Sequence, residues 1–401
     1  MSTAPSAPST TPPPAEARRI LDIDALRSFA LFGILVVNID YFASGYPFHQ
    51  VHDPAFSSAV DGAARWTTAV FFEMKFSLLF SFLFGYSFTL QVDSARRRGA
   101  DFRPRFLRRL AALLVIGLLH AVLLFQGDIL STYALLGLLL LAVHRIRPRT
   151  ALVAAGVITA LVAVQFLAMA ATGVADVDTG TAEAAGARTA DALAGGPLDL
   201  VAEHVRSLPH MAIALVGMQG PVAFAAFLAG LAAGRYRVLA DPGAHQRALR
   251  LLPWVGFPVG LAGSVFFAGV GGTASAAGVA VAVLTAPLLA GAYAATLLRF
   301  FRTGAGGRVA AAVAPAGRTA LTNYLLQSLV CVLLFTGVGL GLVGSVPPAA
   351  TLLIAAGICL LQVGASAWWT ARHPYGPVEW VLRAVTNAEV PRWSRSGAHR
   401  R

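Results

Sequence analysis

The sequence predicts an all-α, polytopic integral membrane helix bundle, on three observations. Hydrophobic residues make up 57% of the chain and charged ones 12%, with a mean hydropathy of +0.68, which excludes an ordinary water-soluble domain. About ten apolar runs have the length, or close to it, that crosses a hydrocarbon core of about 30 Å. Arginines crowd onto alternate connections between these runs, the asymmetry described by the positive-inside rule. That rule also accounts for the net charge of +12, which in a soluble chain would point to nucleic acid.

Residues 1–17, rich in Pro, Ser, Thr and Ala, read as a disordered cytoplasmic tail. No cleavable signal peptide is expected, because the first apolar run is too long and lacks a small-residue cleavage site. The spans fall at roughly 21–41, 67–91, 108–126, 129–143, 150–171, 208–233, 251–270, 274–298, 319–338 and 347–371. Residues 18–171 then form an N-terminal five-helix half and 208–371 a C-terminal one, with no internal repeat between them. The segment 172–207 reads as a poorly ordered, acidic extracytoplasmic connector, and 372–401 as a basic cytoplasmic tail with a short interfacial helix anchored by Trp368, Trp369 and Trp380.

Arginine placement orients the bundle. With both termini in the cytoplasm, the inside segments hold Arg18 and Arg19, the cluster Arg96 to Arg109, Arg145 to Arg149, Arg235 to Arg250 and Arg299 to Arg318. The outside connections keep only Arg65, Arg188 and Arg206. The expected location is the bacterial plasma membrane, with the lipid bilayer as the main partner and no nucleic acid.

Several polar side chains sit at membrane depth, where ionisable groups cost about 2.5–3.5 kcal/mol each on insertion scales. On the first span Asp24, Arg27 and Asn38 share an arc of about 60°. They are either a polar site inside the bundle or an arginine reaching the headgroups beside Asp24. Glu73 and Lys75 on the second span are two residues apart, so they do not share a face and each calls for a partner from another helix. Ser77, Ser81 and Gly85 repeat every fourth residue, a seam for close helix packing. His120 is either a ligand-facing group or a donor to a backbone carbonyl. Asp128, before Tyr133, suits a helix N-cap. Thr319, Asn323 and Gln327 make a stripe that can join helices for about 0.6 kcal/mol each. Glu379 and Arg383 have i,i+4 spacing. Cys331 and Cys359 lie in apolar runs with neither disulfide nor zinc spacing, so no metal site is expected. Phosphate-loop, dinucleotide, metalloprotease and nucleophile-elbow motifs are absent from the chain.

The stretches Asp24–Asn38, Lys75–Gly85, Gly127–Ala134, Gly317–Ser328 and Gly376–Trp380, in that order, resemble the YeiB-like family of bacterial membrane proteins. The C-terminal half is similar to the domain of unknown function numbered 418. That family is in turn distantly similar to membrane acyltransferases of the sugar O-acyltransferase and heparan-glucosaminide acetyltransferase type. The resemblance implies transfer of an acyl group from acetyl-CoA or another acyl-CoA, bound as a co-substrate, to an extracytoplasmic small-molecule, glycan or lipid acceptor. Where the O-acyltransferases carry a His eleven residues after the first-span Arg, this chain has Asn38, as the glucosaminide type does. By that likeness the base would be His49 or His52 in the next outside loop.

Under this reading a loop histidine deprotonates the acceptor. Arg27 meets the donor phosphates, and Lys75 or Asn323 steadies the oxyanion. Two other readings use the same residues. In a transporter of a small polar or lipid-linked solute, Asp24, Glu73, Lys75, His120 and Asp128 line a solute or proton path. In a non-catalytic scaffold they only hold helices together.

Overall fold

The computed structural model describes residues 14–97, 99, 101–173, 178–239 and 243–395. All regular structure among them is helical. The tail expected to be disordered lies, for residues 1–13, outside the described residues, as do the last six residues of the basic C-terminal tail.

In chain order the helices are α1 (Pro14–Ala43), α2 (Ala59–Phe71), α3 (Lys75–Arg97), α4 (Phe102–Leu123) and α5 (Leu130–Val143). Next come α6 (Pro148–Thr172), α7 (Thr179–Ala194), α8 (Pro197–Ala214), α9 (Gly220–Arg235) and α10 (Gln246–Gly269). The last are α11 (Ala276–Phe300), α12 (Gly304–Arg318), α13 (Ala320–Phe335), α14 (Pro348–Arg372) and α15 (Pro377–Asn387). Each of the ten predicted spans falls on helix. Among the described residues seven helices are long and apolar enough to cross a membrane, or eight if the bent pair α12 and α13 counts as one. Helix α5 is shorter, with 14 residues, and α1 is longer but carries the charged groups discussed below.

Helix α1 is the axis of the bundle and packs against α3, α11, α12, α13 and α14. Its buried residues recur with helical spacing through Leu26, Ala30, Leu31, Ile34, Leu35, Ile39 and Phe42. Around it, α3 lies on α9, α6 on α9 and α11, and α10 on α11. The outer helices α6 and α14 present Val153, Leu161, Leu353, Leu360 and Leu361 outward, which suits lipid rather than water.

Four differences from the sequence reading have physical causes. The second span is broken at 72–74, where Met74 adopts a positive φ of 66°. The sixth is α8 and α9 joined through a π-helical turn at Leu215–Gln219, beside Pro209 and Gly220. The ninth is preceded by α12 at a bend of 74°, where Pro315 and the back-bonded Thr319 end one helix and begin the next. Residues 178–207, expected as a poorly ordered connector, instead form α7 and the first half of α8. Ala-rich composition disfavours a core but not a helix.

Candidate functional site

The seam on α3 packs at two of its three positions, Ser81 and Gly85, whereas Ser77 is exposed and donates to the Met74 carbonyl at 2.9 Å. A Cβ on Gly85 would lie 2.1 Å from the Phe227 carbonyl oxygen, and one on Gly230 would lie 2.1 Å from that of Phe82. Both glycines therefore set the close approach of α3 and α9. Ser81 hydrogen-bonds the Tyr133 hydroxyl at 2.6 Å.

At the arginine-rich end, α1, α3, α4, α13 and α15 enclose a cavity of about 580 Å³. Its polar rim holds Arg27, Arg105, Arg109, Arg318 and Arg383, with Glu379 the single acid. Its inner wall is apolar and aromatic, formed by Phe80, Phe84, Leu113, Ile129, Tyr133 and Tyr324. A second hollow of about 720 Å³ shares Arg105, Tyr375, Arg383 and Asn387 with it and adds Glu389, Arg392 and Arg395. The two form one basic entrance leading to an apolar chamber.

Arg27 is fixed in the wall by Asp24 at 2.8 Å and by the Ser87 hydroxyl. Arg318 approaches the other Asp24 oxygen at 4.0 Å. Arg109 is half-buried, and its buried Nε has no hydrogen-bond partner among the described residues; a guanidinium N–H in that position favours an anion. Glu379 is not held by Arg383, as its i,i+4 spacing predicts. Its carboxylate accepts from the Leu321 and Thr322 backbone N–H groups at 2.7 and 3.0 Å and from the Thr322 hydroxyl. It therefore caps α13 from outside that helix, a role local spacing cannot reveal. Arg383 lies instead over the Tyr375 ring at 4.6 Å.

At the opposite end of α1 a smaller cavity, about 330 Å³, is lined by Asp40, Tyr41, His52, Arg65, Glu73 and Thr351, among others. Thr351 donates to Asp40 at 2.8 Å. Asp40 and Arg27 are thirteen residues apart on one helix, which separates the cavities by about 20 Å. The two loop histidines differ here. His52 lines this cavity, and burial together with the nearby Arg65 pushes its pKa down from the ordinary value. His49 instead bonds Thr189 of α7 at 3.0 Å, and Thr189 donates to Glu203 at 2.9 Å. Burial, and to a lesser extent Arg188 and His210, lower the His49 pKa despite Glu203.

Other predicted groups make hydrogen bonds within and between helices. Lys75, the first residue of α3 and only 1% exposed, donates to the Ala69 carbonyl of α2 at 2.7 Å, within its own predicted span, and lies 6.0 Å from the Phe267 ring of α10. Asn323 bonds Ala316 and Ser366, while Gln327 bonds Gln362, so this stripe joins α13 to α14. Asn38 is half-buried on α1.

Between the cavities His120 Nδ1 lies 2.9 Å from Asp128 and Nε2 lies 2.8 Å from Ser328. Sequence reasoning noted the first two residues and missed Ser328, Arg105, Arg109 and Asp40 as members of any site. The arginine run on α4 was the available signal for two of them.

A family model described as "Protein of unknown function (DUF418)" matches residues 233–389. Over its length the chain is 33% identical to the uncharacterised protein YxaH of Bacillus subtilis (strain 168), covering 94% of this chain and 96% of that one. It is 27% identical to an uncharacterised 39.9 kDa protein encoded in the amylase 3′ region of Bacillus acidopullulyticus, covering 94% and 97%. Against the uncharacterised protein YeiB of Escherichia coli (strain K12) it is 28% identical, covering 92% and 96%. No solved structure matches.

Proposed function

The chain belongs to the DUF418 family of multi-pass membrane proteins, to which its likeness to YxaH assigns it, and we propose that it carries an acyl group across the bilayer, from a CoA-type donor to an extracytoplasmic acceptor. The observation that carries this reading is the basic entrance over an apolar chamber. Guanidinium groups pair with phosphate in bidentate fashion, and a phosphate-bearing thioester has an anionic end and an apolar end in that order. The donor phosphates lie among Arg105, Arg383, Arg392 and Arg395, and the acyl end points past Arg27 and Arg109 toward Tyr324.

Positive-inside asymmetry puts that entrance in the cytoplasm, where acyl-CoA is found, with both termini on the same side. The acceptor hydroxyl or amine then enters the opposite cavity, where His52 is the base. Of the two loop histidines, only His52 lines that cavity. Asp24 acts by holding Arg27, while Lys75, Asn323 and Gln327 hold helices.

Calorimetric titration of acetyl-CoA into the protein in lipid nanodiscs tests the donor site. Saturable binding is expected, weakened about tenfold or more (~1.4 kcal/mol) by Arg109→Ala or Arg27→Ala in protein that stays monodisperse. Absence of binding at millimolar acetyl-CoA overturns the reading. The opposed cavities also suit a solute carrier. In that case Glu73→Gln abolishes substrate-coupled flux while acetyl-CoA leaves no heat.

A further inference from the structure

The buried core contains a Ser–His–Asp constellation drawn from three separate elements, and its chain neighbours Ile129, Leu130 and Tyr324 line the arginine cavity. His120 comes from the last turn of α4, Asp128 from the turn before α5 and Ser328 from the middle of α13. They are 2%, 9% and 4% exposed. The Asp128 carboxylate is held by the Ser131 N–H and hydroxyl, each at 2.7 Å, through the oxygen that His120 does not use. A carboxylate only accepts, so the proton on a neutral His120 sits on Nδ1 and Nε2 is left as an acceptor. The Ser328 hydroxyl therefore donates to Nε2 across 2.8 Å. This is the arrangement that activates a serine nucleophile.

Surroundings separate this cluster from an ordinary interhelical hydrogen bond. Tyr324, one turn before Ser328, lines the arginine cavity with Ile129 and Leu130. Its ring lies 4.9 Å from that of His120, and its buried hydroxyl faces the Ile129 backbone. On the other side His120 lies 6.2 Å from Phe125, and Phe125 lies 6.4 Å from Tyr41 in the wall of the opposite cavity. One aromatic layer thus parts the cluster from the acceptor side. The bare α-carbon of Gly117 makes room for it, since a Cβ there would come 2.7 Å from Asp128 Oδ2.

We propose that Ser328 is the nucleophile of a two-step transfer, with His120 as its base, Asp128 orienting the imidazole and a covalent acyl-serine between the steps. This deepens the acyl-transfer reading and rests on it. Ser328 Oγ attacks the thioester carbonyl as its proton passes to His120 Nε2. The C–S bond breaks, and the imidazolium returns the proton to the leaving thiolate, releasing free thiol and leaving an ester on Ser328. An acceptor hydroxyl then attacks that ester and gives its proton to His120, which in this two-step course replaces His52 as the acceptor's base. Ser328 leaves and recovers the proton, so no oxidant or reductant is needed. The Tyr324 hydroxyl, buried beside His120, supplies the hydrogen bond to the oxyanion in both steps.

The test is run on the full-length wild-type protein in nanodiscs, treated in parallel with an alkyl fluorophosphonate and with radiolabelled acetyl-CoA without acceptor. Peptide mass spectrometry then locates any adduct. Expected are a phosphonyl adduct and an acid-stable acetyl group on Ser328, both absent from Ser328→Ala. Labelling should be about 100-fold slower in His120→Asn. A Ser328→Cys variant that regains acetylation answers any concern that Ser328→Ala misfolds. Acetyl-CoA binding with neither adduct at Ser328 overturns the nucleophile and leaves the donor site standing. Fluorophosphonate labelling at Ser328 without acetyl-CoA binding does the reverse: it supports the nucleophile and overturns the CoA donor.

Discussion

At the residue scale the decisive contrasts lie between like side chains in unlike surroundings. His49 is committed to the Thr189–Glu203 chain, whereas His52 lines the cavity opposite the arginines. Burial and Arg65 hold the His52 pKa below the ordinary 6.5 or so of histidine. The neutral, base-competent form therefore dominates at pH 7. Acyl transfer that depends on it should persist through mild acid and fall only as pH drops below that ordinary value. A pH–rate profile checks this, and Arg65→Ala should move the acid limb toward higher pH. Gly117 tests the core cluster in another way. In Gly117→Ala the new Cβ would sit 2.3 Å from the Ser131 N and 2.7 Å from Asp128. Overpacking of this kind costs about 1–3 kcal/mol, so thermal unfolding in detergent should shift downward.

At the element scale the bend between α12 and α13 organises the arginine end. Gly317 lets α12 approach α1 so closely that an added Cβ would stand 1.7 Å from the Asp24 carbonyl oxygen. At the start of α13 the freed N–H groups are met by Glu379 of α15. Gly376 leaves room for this, because its Cβ would collide with Glu379 and Thr322. The Gly376-Pro377-Val378-Glu379-Trp380 motif is thereby explained as a plug on α13 that also forms part of the cavity wall. Glu379→Ala leaves those N–H groups without the carboxylate and should cost about 1–3 kcal/mol, read as a lower unfolding temperature. It should also alter acetyl-CoA affinity, which a purely peripheral helix would not.

At the scale of the whole molecule, one long helix links the basic entrance to the opposite cavity, and the proposed chemistry lies between them. The orientation is directly testable. In intact cells Gln50→Cys should react with an impermeant maleimide, whereas Arg103→Cys should react only after permeabilisation. The native thiols interfere little, since Cys331 is buried and Cys359 half-buried. The reverse pattern would put the arginine cavity on the side that lacks acyl-CoA.

The sequence by itself determined the all-helical membrane class and the order of the apolar segments, because hydropathy over about twenty residues is a local property set by the bilayer. It also exposed the arginine asymmetry, the α3 seam and the Thr319–Asn323–Gln327 stripe, which are all matters of spacing within one helix. Only the tertiary structure decided which polar groups share a site. His120 and Ser328 are 208 positions apart, and Glu379 reaches a helix that starts 59 residues before it. It also separated His52 from His49, three residues apart in one loop. The reason is physical. Within lipid the hydrophobic effect does not choose helix partners, so register comes from glycine contacts, caps and interhelical hydrogen bonds between segments distant in the chain.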